Sequence, residues 1–238
     1  MAINKATIQA LARRILDPLA GLILRMGFSP DALTLLGLIL SLFAGFYVAR
    51  GSFLAAALLL FLGGLCDILD GSMARRAGRS SKRGAFLDST LDRLAEIAVF
   101  MGLVFLYRDR VAMQLVTVVA LTGSLMTSYA RARAEGLGVE CKVGLLERPE
   151  RLGLMILGLL LARFQVAGYG VLELIVFGLA LFTYLTTFQR IIHVVSKISV
   201  PGSGGRHASV PSTEELPGEA VPEDGDPEEL LQGSVRRS

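Results

Sequence analysis

The sequence predicts an all-α membrane protein, a polytopic bundle of about six transmembrane helices. Of its 238 residues, 53% are hydrophobic, and the mean hydropathy is +0.57. These apolar residues come in long blocks, and a helix that spans a bilayer needs about 20 largely apolar residues. Lipid, and not a water-excluding core, is therefore the expected environment of most of the chain.

The apolar blocks are assigned to six spans that follow a shorter helix. Ile8, Leu11 and Ile15 begin a series of apolar residues at helical spacing, which predicts an amphipathic juxtamembrane helix over residues 3–26. Ser29-Pro30-Asp31 is then a helix-start signal before the first span. The six predicted spans are residues 33–49, 52–73, 86–107, 111–132, 152–166 and 169–195.

Basic residues are distributed unevenly between alternate loops. An excess of Lys and Arg marks the cytoplasmic side of a membrane protein. The termini and the loops after the second and fourth spans hold most of these residues, and the other side holds only Arg50, Arg108, Arg110 and Arg163. The sequence therefore predicts a multi-pass protein of the cell (inner) membrane with both termini in the cytoplasm. Membrane lipids are expected partners, and nucleic acid is not.

Residues 201–238 differ in composition from the rest of the chain. They hold five of the eight prolines and eight of the 21 acidic residues. A segment of this kind buries too little apolar surface to order itself. The predicted organisation is a juxtamembrane helix over residues 1–32, a six-helix membrane domain over 33–200, and a disordered cytoplasmic tail over 201–238.

Four aspartates lie near the predicted cytoplasmic ends of the second and third spans. Asp67 and Asp70 are three residues apart, and Asp88 and Asp92 are four apart, so each pair shares one helix face. A tight connection over residues 76–83 would make the two helices antiparallel and bring all four carboxylates together.

A cluster of this kind requires positive charge close by. Each ionised aspartate in a membrane helix costs about 2.5–3.5 kcal/mol on insertion scales. Arg75 and Arg93 can pair with two of the four, which leaves the others uncompensated. Sites built only from carboxylates suit Mg²⁺, with Mn²⁺ or Ca²⁺ as alternatives. The cluster therefore predicts a divalent metal site.

Small and basic residues beside the aspartates indicate a substrate that carries phosphate. Gly71 and Ala74 leave room for a ligand, and Arg75 is placed to pair with a phosphate. Two metals held by shared carboxylates would clamp a pyrophosphate. One acid would then be free to take a proton from an incoming hydroxyl.

The spacing of these residues resembles the signature of the CDP-alcohol phosphotransferase family. In this chain the signature reads Asp67-x2-Asp70-Gly71-x2-Ala74-Arg75-x8-Gly84-x3-Asp88-x3-Asp92. The resemblance implies six transmembrane helices, a homodimer and two Mg²⁺ ions, with Mn²⁺ as an alternative. It implies metal ligation by Asp67, Asp70 and Asp88, and a general base, Asp92, that also touches a metal. Contacts with the CDP-lipid are implied for Gly71, Ala74 and Arg75.

The resemblance extends to the branch of the family that makes phosphatidylinositol phosphate. It is carried by residues 17–34, 128–135 and 147–152, together with Gln189-Arg190. It implies a nucleotide site lined by Asp31, Thr34 and Ser81. It also implies a pocket for the phosphate of the acceptor, built from Arg131, Arg151 and Arg190.

The expected reaction transfers a phosphatidyl group from CDP-diacylglycerol to the hydroxyl of inositol 1-phosphate and releases CMP. Glycerol 3-phosphate is the alternative acceptor, which would make the protein a phosphatidylglycerophosphate synthase. An intramembrane prenyltransferase also uses Asp-rich helices with Mg²⁺, but the Gly-x2-Ala-Arg element argues against it. A divalent-cation transporter predicts acids near the bilayer midplane, whereas these lie near the cytoplasmic ends.

Overall fold

A computed structural model describes residues 17–76 and 82–198. The regular secondary structure of this part of the chain is helical apart from one short hairpin, which confirms the all-α prediction. Residues 17–25 form the described part of helix α1. The six further helices are α2 (Pro30–Ala49), α3 (Phe53–Arg76), α4 (Lys82–Leu106), α5 (Val111–Gly136), α6 (Arg148–Leu160) and α7 (Val171–Ile198). Residues 3–16 of the predicted juxtamembrane helix, Ser81 and the predicted tail lie outside the described residues.

Capping residues at the start of helix α2 determine where this helix begins. The Ser29 side chain accepts a hydrogen bond from the Ala32 amide at 3.2 Å, and Pro30 occupies the first turn. A serine N-cap satisfies an otherwise unpaired amide, and proline is tolerated at this position. Asp31 also lies in the first turn, where its charge interacts favourably with the helix dipole.

Four of the described helices are long and apolar enough to cross a membrane, namely α2, α3, α5 and α7. The N-terminal half of α4 carries several charged side chains, among them Asp88, Asp92 and Glu96. Helix α6 has 13 residues, about 20 Å at 1.5 Å per residue, against a hydrocarbon core of about 30 Å. The chain is therefore a multi-pass membrane protein, and the number of six spans remains a prediction.

The predicted fifth span, residues 152–166, is wrong at its C-terminal end. Helix α6 ends at Leu160, and strands β1 (Gln165–Val166) and β2 (Tyr169–Gly170) pair antiparallel. Ala167 and Gly168 join them with φ angles of 51° and 83°, which suits a two-residue hairpin turn. The sixth span, predicted to begin at residue 169, accordingly begins as helix α7 at Val171.

Helix α2 packs along both α3 and α4, α5 packs along α7, and α6 contacts α3 and α7. The backbones of α2 and α4 approach each other closely at two glycines. A Cβ atom on Gly102 would lie within 3.0 Å of the Gly45 backbone, and one on Gly45 would collide with the Ala98 carbonyl group. Small residues allow membrane helices to approach in this way. The glycines therefore fix the position of α4, which carries half of the predicted aspartates.

Polar side chains lie inside the bundle beside its apolar core, and many large apolar side chains lie on its outer surface. Between α5 and α7, the Thr127 hydroxyl is 2.9 Å from the Thr183 carbonyl oxygen and 3.0 Å from the Thr187 hydroxyl. The outer surface exposes side chains such as Leu54, at 74%, and Phe43, at 55%. An apolar exterior of this extent is unusual for a protein in water. The distribution agrees with a lipid environment.

Candidate active site

Three of the four predicted aspartates come together between α3 and α4. One carboxylate oxygen from each of Asp67, Asp70 and Asp88 lies within 4.8 Å of the other two. Helical spacing explains the set, because Asp67 and Asp70 share a face of α3 while Asp88 lies in the second turn of α4. We call these three residues the carboxylate triad.

The members of the triad differ in their hydrogen bonds. Asp70 is buried, and its Oδ2 atom accepts a hydrogen bond of 2.6 Å from the Thr34 hydroxyl of α2. The Oδ1 atom of Asp88 is buried and has no hydrogen-bond partner among the described residues. A buried carboxylate oxygen without a partner is costly. A hard divalent cation would satisfy it, and all three donors are the oxygen ligands that such cations prefer. The residues of the triad therefore fit a divalent metal.

The fourth aspartate, Asp92, lies next to the triad but is paired differently. It accepts a short hydrogen bond from Arg148, the first residue of α6. Arg148 also donates from Nη1 to both oxygens of Asp67 at 3.1 Å each. One guanidinium group therefore connects a member of the triad to Asp92.

The arginines expected to neutralise the aspartates have other partners. Arg75 donates to the Ser72 hydroxyl at 3.0 Å, and Arg93 donates to the Ser89 carbonyl oxygen. The described contacts include no ion pair between these two arginines and the aspartates, although the charge of Arg93 acts on Asp88 and Asp92. Both donate within their own helix, whereas Arg148 reaches the aspartates from α6. Sequence spacing along α3 and α4 does not reveal a partner from a distant segment.

The residues assigned to the CDP-lipid lie around the triad. A Cβ atom on Gly71 would be 3.4 Å from Nη1 of Arg75, so the glycine leaves space beside this exposed guanidinium group. Ala74 is partly buried on the same helix, and Asp31 is exposed at the start of α2. Thr34 contacts the triad directly through Asp70.

The three predicted acceptor arginines are near one another but differ in exposure. The charges of Arg131 and Arg151 are close enough to act on Arg190. Arg131 is 43% exposed and pairs with Glu135 at 2.8 Å. Arg151 and Arg190 are buried, at 4% and 3% exposure.

Both buried arginines already have polar partners. Arg151 donates to the two oxygens of Glu96 at 3.0 and 3.3 Å and to the Ser128 hydroxyl at 3.4 Å. Arg190 donates to the carbonyl oxygens of Thr127, at 2.6 Å, and Val143, at 2.9 Å. Arg131 is therefore the most accessible of the three predicted acceptor arginines.

The sequence interpretation missed Arg148 and Glu96. Glu96 continues the four-residue spacing of Asp88 and Asp92 on one face of α4, which is a signal that was available. Its Oε1 atom also accepts a hydrogen bond of 2.5 Å from Ser124. Arg148 stands in the 147–152 segment, but only the contact with α3 and α4 shows its position.

A cavity of about 70 Å³ lies among α2, α3, α4 and α6 beside the carboxylates. Asp67, Asp92 and Arg148 line its polar part, and Phe100 and Met155 line its apolar part. The arrangement combines carboxylates that fit a divalent cation, a further acid beside them and several guanidinium groups. It has the components needed to bind phosphates and to move a proton.

A protein-family model described as CDP-alcohol phosphatidyltransferase matches residues 28–194. The archaetidylinositol phosphate synthase of Methanothermobacter thermautotrophicus is 38% identical over 190 residues, which are 78% of this chain and 91% of the relative. The phosphatidylinositol phosphate synthase of Streptomyces avermitilis is 37% identical over 206 residues, which are 81% of this chain and 84% of the relative.

Two solved structures of Mycobacterium tuberculosis phosphatidylinositol phosphate synthase are similar to this chain. The structure with CDP-DAG bound has a TM-score of 0.71 and 34% identity, covering 82% of this chain and 99% of the other. The complex with manganese and citrate has a TM-score of 0.70 and 33% identity, covering 81% of this chain and 93% of the other.

Proposed function

Since this chain belongs to the CDP-alcohol phosphatidyltransferase family, we propose that it transfers a phosphatidyl group from CDP-diacylglycerol to the hydroxyl of inositol 1-phosphate. The products are phosphatidylinositol phosphate and CMP. The carboxylate triad, with its buried Asp88 oxygen that has no hydrogen-bond partner within the described part of the chain, is the observation that carries the proposal. The named activities of the relatives in Methanothermobacter and Streptomyces support inositol phosphate as the acceptor.

Asp67, Asp70 and Asp88 would hold the divalent metal on which this family depends. When bound, the metal neutralises the charge of the diphosphate and of the departing CMP. Mg²⁺ is the expected ion, and Mn²⁺ is the alternative supported by the manganese complex of the mycobacterial relative. The presence of two ions is part of the proposal.

Asp92 would act as the general base. Its carboxylate lies next to the triad without belonging to it. It would take the proton from the acceptor hydroxyl as the hydroxyl oxygen bonds to the phosphorus on the lipid side. The bond from that phosphorus to the CMP oxygen then breaks, and CMP leaves with the electron pair. Positioned general bases contribute roughly 10²–10⁴-fold to rates.

The remaining residues would bind the two substrates. Arg75 is exposed beside Gly71 and Ala74, where it can reach a phosphate of the nucleotide. Asp31, Thr34 and Ser81 complete the proposed CDP-lipid site. Arg131 would contact the phosphate of the acceptor, and the positive charges of Arg151 and Arg190 would support it. The proposed residues therefore separate into a nucleotide set and an acceptor set.

The orientation and the assembly also belong to the proposal. The uneven distribution of Lys and Arg supports a cytoplasmic location for both termini and for the active site of a cell-membrane protein. The family resemblance supports a homodimer. The apolar exterior of the bundle is compatible with either lipid or a second copy as its neighbour.

A competition between acceptors tests the proposed substrate. The purified protein would be given CDP-diacylglycerol with inositol 1-phosphate, glycerol 3-phosphate or unphosphorylated inositol, and the lipid products would be separated. We expect product from inositol 1-phosphate at the highest kcat/KM and almost none from inositol. A preference for glycerol 3-phosphate would instead identify a phosphatidylglycerophosphate synthase.

An Arg131→Ala variant tests the acceptor set. We expect a higher KM for inositol 1-phosphate and an unchanged KM for CDP-diacylglycerol. An increase confined to the KM for the CDP-lipid would contradict the division into two sets.

A further inference from the structure

The guanidinium group of Arg148 lies inside the acidic cluster. Its Nη1 atom is 3.1 Å from both Oδ1 and Oδ2 of Asp67, and its Nη2 atom donates to Oδ1 of Asp92. The side chain is only 31% exposed, and those of Asp67 and Asp92 are 32% and 12% exposed. Arg148 is thus a partly buried cation that bridges two carboxylates.

Arg148 is the cation in direct contact with the aspartates across residues 17–76 and 82–198. Arg75 and Arg93 make their recorded hydrogen bonds within their own helices. Asp70 is bonded to a neutral hydroxyl, and the buried oxygen of Asp88 has no partner there. Like charges in one site repel each other unless a cation stands between them. Arg148 therefore supplies positive charge by direct contact, and the charge of Arg93 also acts on Asp88 and Asp92 without a recorded ion pair.

The position of Nη1 also limits how Asp67 can bind a metal. Equal distances to the two oxygens place the nitrogen across the chelating edge of this carboxylate. A divalent cation held by Asp67, Asp70 and Asp88 would share an Asp67 oxygen that already accepts a hydrogen bond from Arg148. The guanidinium charge and the cation would also repel each other, since both occupy the same partly desolvated site.

We propose that Arg148 competes with the divalent metal for Asp67. Its guanidinium group binds the Asp67 carboxylate when the metal is absent and releases that carboxylate when the metal binds. The proposal rests on the carboxylate triad as the metal site of the proposed function, and it is independent of the acceptor. Release of Asp67 requires only that the Arg148 side chain pivot away from that carboxylate. Pro149 restricts the backbone at the start of α6, which favours a movement of the side chain alone.

Metal affinity provides a direct test. The full-length protein in detergent, without CDP-lipid, would be titrated with Mn²⁺, and free Mn²⁺ would be followed by electron paramagnetic resonance. We expect Arg148→Met to bind Mn²⁺ about tenfold more tightly than the wild type, because a nearby positive charge has been removed. Arg148→Lys should retain an affinity closer to that of the wild type.

Arg110→Met is the matched control. Arg110 also pairs with a glutamate, Glu173, but it lies at the opposite end of the bundle, between α4 and α5. Its loss should leave Mn²⁺ affinity unchanged. An affinity of Arg148→Met equal to or weaker than that of the wild type overturns the proposal, since Arg148 would then only orient Asp67.

Thermal unfolding distinguishes competition from a purely structural role. In EDTA, Arg148→Met should unfold at a lower temperature than the wild type, because the acids lose their cation. At saturating Mn²⁺ the difference should shrink or reverse. An equal loss of stability in both conditions contradicts the proposal.

An Asp88→Asn variant distinguishes a failure of the proposed metal site from a failure of the role proposed for Arg148. It should abolish tight Mn²⁺ binding, because Asp88 belongs to the triad. If the wild type shows no saturable binding, the metal site of the proposed function fails and the role of Arg148 fails with it. Saturable binding that Arg148→Met does not strengthen refutes the role of Arg148 alone.

Discussion

Burial and an ion pair change the interpretation of the acceptor residue Arg151. The sequence places a positive charge there, and the structure encloses it at 4% exposure beside Glu96. A buried ion pair depends on both partners, because removing one leaves an uncompensated charge. Arg151 therefore depends on a residue that no sequence motif identified.

Glu96→Gln should destabilise the protein by about 3 kcal/mol or more, because it leaves the Arg151 charge buried and unpaired. Denaturation in detergent, followed by circular dichroism, measures the loss. Glu173→Gln is the control, since its partner Arg110 is 56% exposed and ion pairs of exposed groups contribute little to stability. Equal losses for the two variants would show that the Glu96 pair is not the stronger one.

Asp92→Asn separates catalysis from metal binding at a single position. Asp92 lies outside the carboxylate triad, so this variant should bind Mn²⁺ while its kcat falls about 100-fold or more, the typical contribution of a general base. Asp88→Asn should lose both properties. Full turnover by Asp92→Asn would falsify the assignment of the base.

The sequence predicted those residues of the site that lie a few positions apart in the chain. Asp67, Asp70 and Asp88 were identified because spacings of three and four residues put side chains on one helix face. Arg148 is separated from Asp67 by 81 positions in the chain. The packing of α6 against α3 brings Arg148 and Asp67 together. The residue pattern within either helix does not predict this contact.

At the scale of the elements, long apolar blocks predicted the positions of α2, α3, α5 and α7 within a few residues. The end of α6 was not predicted, because Phe164 and Val166 continue the apolar block beyond the helix. Hydropathy alone does not distinguish a short helical segment from a hairpin. The two-residue turn at Ala167 and Gly168 decides the structure there.

Helices α2 and α4 should tolerate no side chain at their closest approach. Gly102→Ala places a Cβ atom against the Gly45 backbone, which should cost about 1–3 kcal/mol, as overpacking commonly does. Because Thr34 is on α2 and Asp88 is on α4, Mn²⁺ affinity should also fall.

Gly178→Ala on α7 is the matched control, since its Cβ atom meets nothing within 4 Å. It should be neutral or slightly stabilising, by up to about 1 kcal/mol, because alanine has the higher helix propensity. If the two alanine variants have the same stability, the close contact between α2 and α4 is not required.

At the scale of the whole molecule, the apolar exterior makes lipid the solvent of the bundle. The positive-inside rule then predicts which ends face the cytoplasm. The carboxylate triad would lie at the same end as the basic loops, where CDP-lipid headgroups and soluble acceptors meet.

Cysteine labelling tests this orientation. With Cys66 and Cys141 replaced by serine, Ser52→Cys should react with an impermeant maleimide in intact cells. Lys142→Cys should react only after the membrane is opened. Both positions are exposed in the structure, so access across the membrane determines the result. The reverse pattern would place the active site on the opposite side.

Metal-dependent phosphatidyl transfer is the central claim, and CMP release from CDP-diacylglycerol after removal of divalent ions tests it most directly. The purified protein, dialysed against EDTA and given inositol 1-phosphate, should release no CMP above background, and Mg²⁺ or Mn²⁺ should restore the activity. Undiminished CMP release without divalent ions would contradict the account, because the carboxylate triad would then have no part in the reaction.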